Sequence, residues 1–179
     1  MSLPLSFMED FELIRAAQSG DALALSRLLD GLCPYVGRIC GAIALDSGPD
    51  AAQEALIQVL RDLAGLRDPR ALRAWVRRIA TREAIRFAER ERRHEGGGGR
   101  EGASDDGFAE VPASDDTALR RDVRAVLREL QPDQRTILVL RDLEGLSEAE
   151  AAEQLEVAKG TAKSRLHRAR RAFLERWMS

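Results

Sequence analysis

Two stretches of this chain concentrate side chains suited to gripping phosphate. From Lys159 to Arg171 there are six basic residues (Lys159, Lys163, Arg165, Arg168, Arg170 and Arg171), together with His167 and no acid. From Arg67 to Arg93 a second basic block interleaves Arg73, Arg77, Arg78, Arg82, Arg86 and Arg90 with Leu72, Trp75, Val76, Ile79 and Phe87. Cations at this density neutralise nucleic-acid backbone, Arg and Lys can also meet guanine O6 and N7, and an interleaved aromatic can stack on an unpaired base. Trp75 and Phe87 read first as core side chains, since large aromatics are mostly buried.

Other chemistries lack their residues. Cys33 and Cys40 lie seven apart on one face of an apolar segment, the pattern of buried thiols, and the only histidines are His94 and His167, so no zinc-ligand spacing occurs. The run Gly96 to Gly99 sits in polar sequence rather than on a strand-helix turn, and no nucleophile-base set is visible. The expectation is a protein with no catalytic residue, metal, cofactor or small-molecule substrate.

The elements that position the two basic blocks are helical. Apolar residues recur with the helical period on both sides of a break from about Glu95 to Asp116, and no stretch alternates like a strand. Helices are expected over 8–18, 21–45, 49–64 and 69–93, then 116–130, 132–143, 147–155 and 159–177. Asp21, Gly48-Pro49 and Asp68-Pro69 mark starts, Pro132 suits a first helical turn, Ser147 with Glu150 forms a capping box, and Pro34 is expected to kink or break the second helix. This gives an all-α chain of two four-helix domains, 8–94 and 116–177, joined by a flexible Gly-rich acidic linker at 95–115.

Charge follows the same division. The formal sum of −2 hides a linker stretch, 95–118, at −6, with the first 94 residues at +1 and residues 119–179 at +3. No run of about 18 apolar residues and no basic-then-apolar leader is visible, so no membrane partner and a cytoplasmic location are expected.

The last helix carries Ala162, Leu166, Ala169, Phe173 and Trp177 in one arc, which predicts an inward stripe, with Ser164, His167, Arg168 and Arg171 opposite. A solvated basic face would show the same pattern. The short helix before it, with a turn of Glu156, Val157, Ala158 and Lys159, has the layout of a helix-turn-helix, whose second helix enters the major groove. Glu156 stands where a turn glycine is frequent.

These residues resemble a known family. Leu130-Gln-Pro-Asp-Gln-Arg135, Leu140-Arg-Asp-Leu-Glu-Gly-Leu-Ser147 and Gly160-Thr-Ala-Lys-Ser-Arg-Leu-His-Arg-Ala-Arg170 resemble region 4 of the extracytoplasmic-function (ECF) sigma factors, promoter-recognition subunits of bacterial RNA polymerase. Pro49-Asp-Ala-Ala-Gln-Glu54 resembles their region 2.2, and Leu72-Arg-Ala-Trp-Val-Arg-Arg-Ile-Ala80 their region 2.3 running into 2.4.

The resemblance implies that Asp50, Gln53 and Glu54 dock on the clamp helices of core RNA polymerase, beside an apolar stripe of Ala51, Ala55, Leu56, Val59 and Leu63. It implies that Lys159, Thr161, Lys163, Ser164, Arg165, His167, Arg168 and Arg171 read the minus 35 promoter element as duplex DNA. Arg67, Arg70, Arg73, Trp75, Arg78, Arg82 and Arg86 would hold the minus 10 element as a melted strand, with the loop Gly65 to Ala71 capturing a flipped base. The acidic linker would thread through the polymerase, and an anti-sigma factor would be a further partner.

Arg82 and Arg86 replace the short Asn or Asp side chains usual in the family, a change expected to trade base readout for phosphate grip and to steepen salt dependence. A free-standing helix-turn-helix regulator is the competing reading, but no effector domain accompanies the motif and nothing suggests a symmetric dimer.

Overall fold

A computed structural model describes residues 10–95 and 117–178, and every regular element among them is helical. The expected linker lies outside the described residues, apart from Glu95. The first unit comprises α1 (Phe11–Gln18), α2 (Ala22–Ala44), α3 (Gly48–Asp62) and α4 (Leu72–Glu95); the second comprises α5 (Thr117–Arg128), α6 (Pro132–Leu138), α7 (Glu148–Gln154) and α8 (Lys159–Trp177).

The helix starts follow local side-chain chemistry. Asp10 accepts from the Leu13 amide at 3.0 Å and Asp21 from the Ala24 amide at 2.9 Å, each satisfying a donor the helix leaves open. The Ser147 and Glu150 box closes in both directions, at 3.2 Å from the Glu150 amide to Ser147 Oγ and 2.7 Å from the Ser147 amide to Glu150 Oε2.

Of the two outcomes expected at Pro34, a kink or a break, the break does not occur, since α2 runs through it. A proline inside a helix costs roughly 3 kcal/mol, but Leu28, Leu32, Val36, Ile39 and Ile43 are all at 0% exposure around it, and that burial outweighs the lost bond. The helix expected at 132–143 stays α-helical only to Leu138, and Val139–Leu143 widen into a π turn.

α2, α3 and α4 enclose the larger core. α2 meets α3 at a very close approach, since a Cβ on Gly48 would stand 2.7 Å from the Gly41 Cα. The Ala22–Gly65 stretch does contain a window apolar enough by composition to cross a membrane, contrary to the expectation above, yet half of that window is buried inside the protein. Its apolar side chains are those of the bundle core. Cys40 is buried with its thiol pushed up to about 12, chiefly by burial and then by the Glu83 charge, so it is an inert packing group, while Cys33 is half-buried.

The smaller core gathers Ile137, Leu140, Leu146, Ala151, Ala152, Ala162, Leu166 and Ala169 between α6, α7 and α8. The stripe expected on α8 packs inward through Ala169, but Trp177 is 43% exposed, because the helix outruns the core at its end. There Trp177 stacks on Phe173 with ring centroids 6.0 Å apart.

Candidate nucleic-acid interface

α8 separates its faces cleanly. With Ala162, Leu166 and Ala169 buried, the side chains of Lys159, Thr161, Lys163, Ser164, His167, Arg168 and Arg171 are left exposed. Arg165 does not join them: it is half-buried and pairs with Asp133 of α6 at 3.3 Å. Ser164 Oγ donates to the Thr161 carbonyl at 3.0 Å, which leaves the hydroxyl's acceptor side open. Arg171 pairs with Glu175 one turn on, at 2.8 Å, an exposed contact that DNA phosphate can outcompete.

The turn before α8 bears out the sequence concern at Glu156. Its φ is +55°, the left-handed region that glycine enters freely and a glutamate enters at a cost of roughly 1–2 kcal/mol. The turn geometry of a helix-turn-helix is therefore kept by a residue poorly suited to it.

α4 divides the second basic block between two flanks. Leu72, Val76, Ile79, Ala80 and Ala84 face the core. On one flank Trp75, Arg78, Arg82 and Arg86 share an arc, with the three arginines exposed and Trp75 half-buried against the core. Arg73 lies on the opposite flank with Arg77 and Thr81, turned toward the second unit. Of the seven expected minus 10 residues, Trp75, Arg78, Arg82 and Arg86 share this flank, Arg67 lies beside Trp75, Arg70 is exposed on the loop before α4, and Arg73 stands apart.

Beside Trp75 lies a shallow, solvent-open hollow of about 460 Å³ lined by Arg61, Asp62, Gly65, Leu66, Arg67 and Trp75. It borders the loop between α3 and α4, whose first short helical turn, Leu63–Gly65, is pinned from α1. Gln18 Nε2 donates to the Leu63 carbonyl at 3.0 Å and to the Leu66 carbonyl at 2.7 Å. Arg70 is folded back on Asp68, whose carboxyl is held below its ordinary range by hydrogen bonds from the Arg70 amide and guanidinium.

Arg82 and Arg86 share one carboxylate. Glu83 is only 8% exposed, with Oε1 3.5 Å from Arg82 Nε and Oε2 2.6 Å from Arg86 Nη2. Arg86 and Arg90 also lie over the Phe87 ring, at 5.0 and 5.8 Å from its centroid. Sequence reasoning missed Glu83 and Gln18; the signal for Glu83 was an acid embedded in a basic block.

On α3, Asp50 and Gln53 are exposed and Glu54 is half-buried. The stripe expected beside them is not available to a partner: Ala51, Ala55, Val59 and Leu63 are buried in the first core. No group of three metal-ligating side chains occurs among the described residues.

The family model described as sigma-70 region 2 matches residues 34–94, and that described as sigma-70, region 4 matches residues 120–173. The ECF RNA polymerase sigma factor SigM of Mycobacterium tuberculosis is 30% identical over 165 residues, covering 90% of this chain and 81% of its own. The chain belongs to the ECF sigma factors. The RNA polymerase sigma-H factor of Pseudomonas aeruginosa is 30% identical over 180 residues, covering 92% of each chain. Among solved structures, the sigma factor RpoE of Bartonella quintana, crystallised with the anti-sigma factor NepR, superposes with a TM-score of 0.62 at 25% identity, covering 85% of this chain and 95% of that one.

As a sigma factor the protein directs promoter-specific transcription initiation by RNA polymerase and is not itself an enzyme. The region 2 match takes in the second half of α2 with α3 and α4, and the region 4 match, with its helix-turn-helix, takes in most of α5 to α8.

Proposed function

We propose that this sigma factor divides promoter reading between α8 and the Trp75 flank of α4. Lys163, Ser164, His167, Arg168 and Arg171, with Lys159 and Thr161 at the helix start, read the minus 35 element in the major groove. Arg67, Arg70, Arg78, Arg82 and Arg86 hold the melted minus 10 strand while the hollow at Gly65, Leu66, Arg67 and Trp75 accepts an unstacked base. Arg73 contributes only once region 4 has left its flank. Asp50, Gln53 and Glu54 dock on core polymerase, their acidic character suited to a basic helical partner.

The domains so used run over 8–94 and 116–177, with 95–115 as the tether. An anti-sigma factor covering the polymerase-binding surfaces is a further partner, supported by the complexed relative of similar fold. The site of action is the cytoplasm, where core polymerase is found.

The observation that carries this reading is the segregation of α8 as far as Arg171, where Ala162, Leu166 and Ala169 are buried while Lys163, Ser164, His167, Arg168 and Arg171 remain exposed. Run-off transcription with purified core polymerase and a pool of genomic fragments tests it. New start sites that depend on the protein are expected, and their loss on Arg168→Ala follows; transcripts indistinguishable from core alone would defeat it.

A further inference from the structure

The two units are joined by more than the tether. Glu144, just after the π turn of region 4, places a side chain with no solvent exposure against region 2. Tyr35 donates its hydroxyl to Glu144 Oε2 at 2.7 Å, Arg38 Nη2 donates to Oε1 at 2.9 Å, and Arg73 Nη2 stands 3.7 Å from Oε2. The Tyr35 ring lies between the two guanidiniums, 5.7 Å from Arg38 Cζ and 5.8 Å from Arg73 Cζ. Local geometry aims the carboxylate: the Glu144 amide bonds back to the Val139 carbonyl at 2.9 Å, and Gly145 follows with φ +70°.

Further polar contacts extend this seam. Gln154 of α7 donates to Thr81 Oγ1 at 2.9 Å and accepts from Arg77 Nε at 2.9 Å. Asp46 accepts from Arg124 at 3.1 Å and from Arg128 at 2.5 Å. Among the described residues, Val139 is the one region 4 side chain in the buried region 2 core. A cavity of about 270 Å³ beside Asp46, Arg92, Arg128 and Gln131 leaves the seam incompletely packed. Permanent interfaces approach interior density and are largely apolar, whereas polar and loosely packed ones part readily.

This closed form cannot read a promoter with both units. The minus 35 and minus 10 elements lie about 25 base pairs apart, about 85 Å along straight B-form DNA. A compact chain of this length has a radius of gyration of about 16 Å, hence a span of about 40 Å. The intervening segment of about 20 residues can reach roughly 70 Å when extended, so separation is covalently permitted.

We infer that Glu144 is an intramolecular latch: seated on Tyr35, Arg38 and Arg73, it holds the free sigma factor closed, and promoter engagement requires it to leave. A buried carboxylate with charged partners gains little net stability over the solvated state but tolerates no mismatch. Such a contact is specific when closed and can be opened by a partner with a larger interface.

Small-angle X-ray scattering on the free full-length chain tests this without polymerase or DNA. The wild type is expected to be compact, near the value above, and Glu144→Arg to raise the radius of gyration by about a third while helical circular dichroism is retained. Arg38→Glu should do the same, and Arg38→Glu combined with Glu144→Arg should return toward wild type. If Glu144→Arg fails to fold, Asp46→Arg, on a less buried contact, is expected to expand the chain by itself. An already expanded wild type, or folded variants as compact as wild type, would overturn the inference. Failure of wild-type run-off transcription would instead strike the functional reading and leave the scattering result standing.

Discussion

Region 2 and region 4 solve the same problem, a helical scaffold for a basic helix, with unequal means. Region 2 packs long aliphatic side chains of α2 (Leu28, Leu32, Val36, Ile39 and Ile43) between α3 and α4. Half of the eight residues in the region 4 core are alanines, namely Ala151, Ala152, Ala162 and Ala169. A small core of short side chains has little stability to spare. Region 4 leans correspondingly on its capping box, on Arg165–Asp133 and Arg176–Glu129 ion pairs, and on region 2 itself. The helix proposed to read duplex DNA is thus carried by the smaller core, while the helix proposed to hold the strand is part of the larger one.

The contrast can be broken most forcefully in the cores. Leu140→Ala, at a site with no exposure, should cost about 2–5 kcal/mol and unfold region 4 at ambient temperature while leaving region 2 folded. Leu32→Ala removes the same atoms from region 2, which should stay folded with a lowered melting temperature. Calorimetry that resolves the two transitions checks both; equal tolerance would mean that the cores are energetically alike.

A second test addresses the DNA faces. Arg168→Ala should weaken minus 35 discrimination by about 1–3 kcal/mol, seen as loss of preference between matched and mismatched minus 35 sequences. Arg82→Asn should leave that preference intact and lower the salt dependence of promoter binding by the holoenzyme, since one phosphate contact is lost.

The tyrosine offers a third test, because Tyr35 is the only tyrosine in the chain. Burial first, then the Glu144 charge, pushes its phenol up to about 12. The folded value lies above the ordinary value of about 10, so its contribution to the closed seam is complete below about pH 10 and is lost as pH rises through about 12. Absorbance titration should find the raised midpoint in the wild type and a lower one in Glu144→Gln. An unchanged midpoint would show that the carboxylate has no part in it.

The smallest effects lie in the region 4 turns. Glu156→Gly should stabilise region 4 by about 1 kcal/mol by relieving the left-handed strain, and Ser147→Ala should destabilise it by about 1 kcal/mol. Thermal melts of the two variants against wild type read both.

Much of this architecture was legible in the sequence because it is written in local chemistry. Asp21, Ser147 with Glu150, and Pro132 each act within one helical turn, and the eight helices follow from them and from apolar period. The π turn at Val139–Leu143 was not legible, since its apolar pattern also suits a continuing α-helix. At Pro34 the expected alternative of a break failed for the opposite reason: a strong local signal was outweighed by burial that only the assembled bundle provides. Glu144 was invisible as a site because a glutamate is ordinarily solvated and only tertiary neighbours reveal a buried one, whereas Glu83 left only the faint sign of an acid within a basic block. Arg73 shows the limit of assigning roles by block, since one helix turns some of its arginines to solvent and others to its own partner domain.

The division of labour between a duplex-reading and a strand-holding surface is tested most directly with holoenzyme on one promoter in two forms, fully paired and with the minus 10 region pre-melted by mismatches. Binding of Arg168→Ala and Arg67→Ala holoenzymes is measured on each. The account predicts that Arg168→Ala loses the same factor on both templates, whereas the defect of Arg67→Ala, beside the base-accepting hollow, shrinks when the strand is already open. An Arg168→Ala defect relieved by pre-melting, with an Arg67→Ala defect indifferent to it, would contradict the assignment.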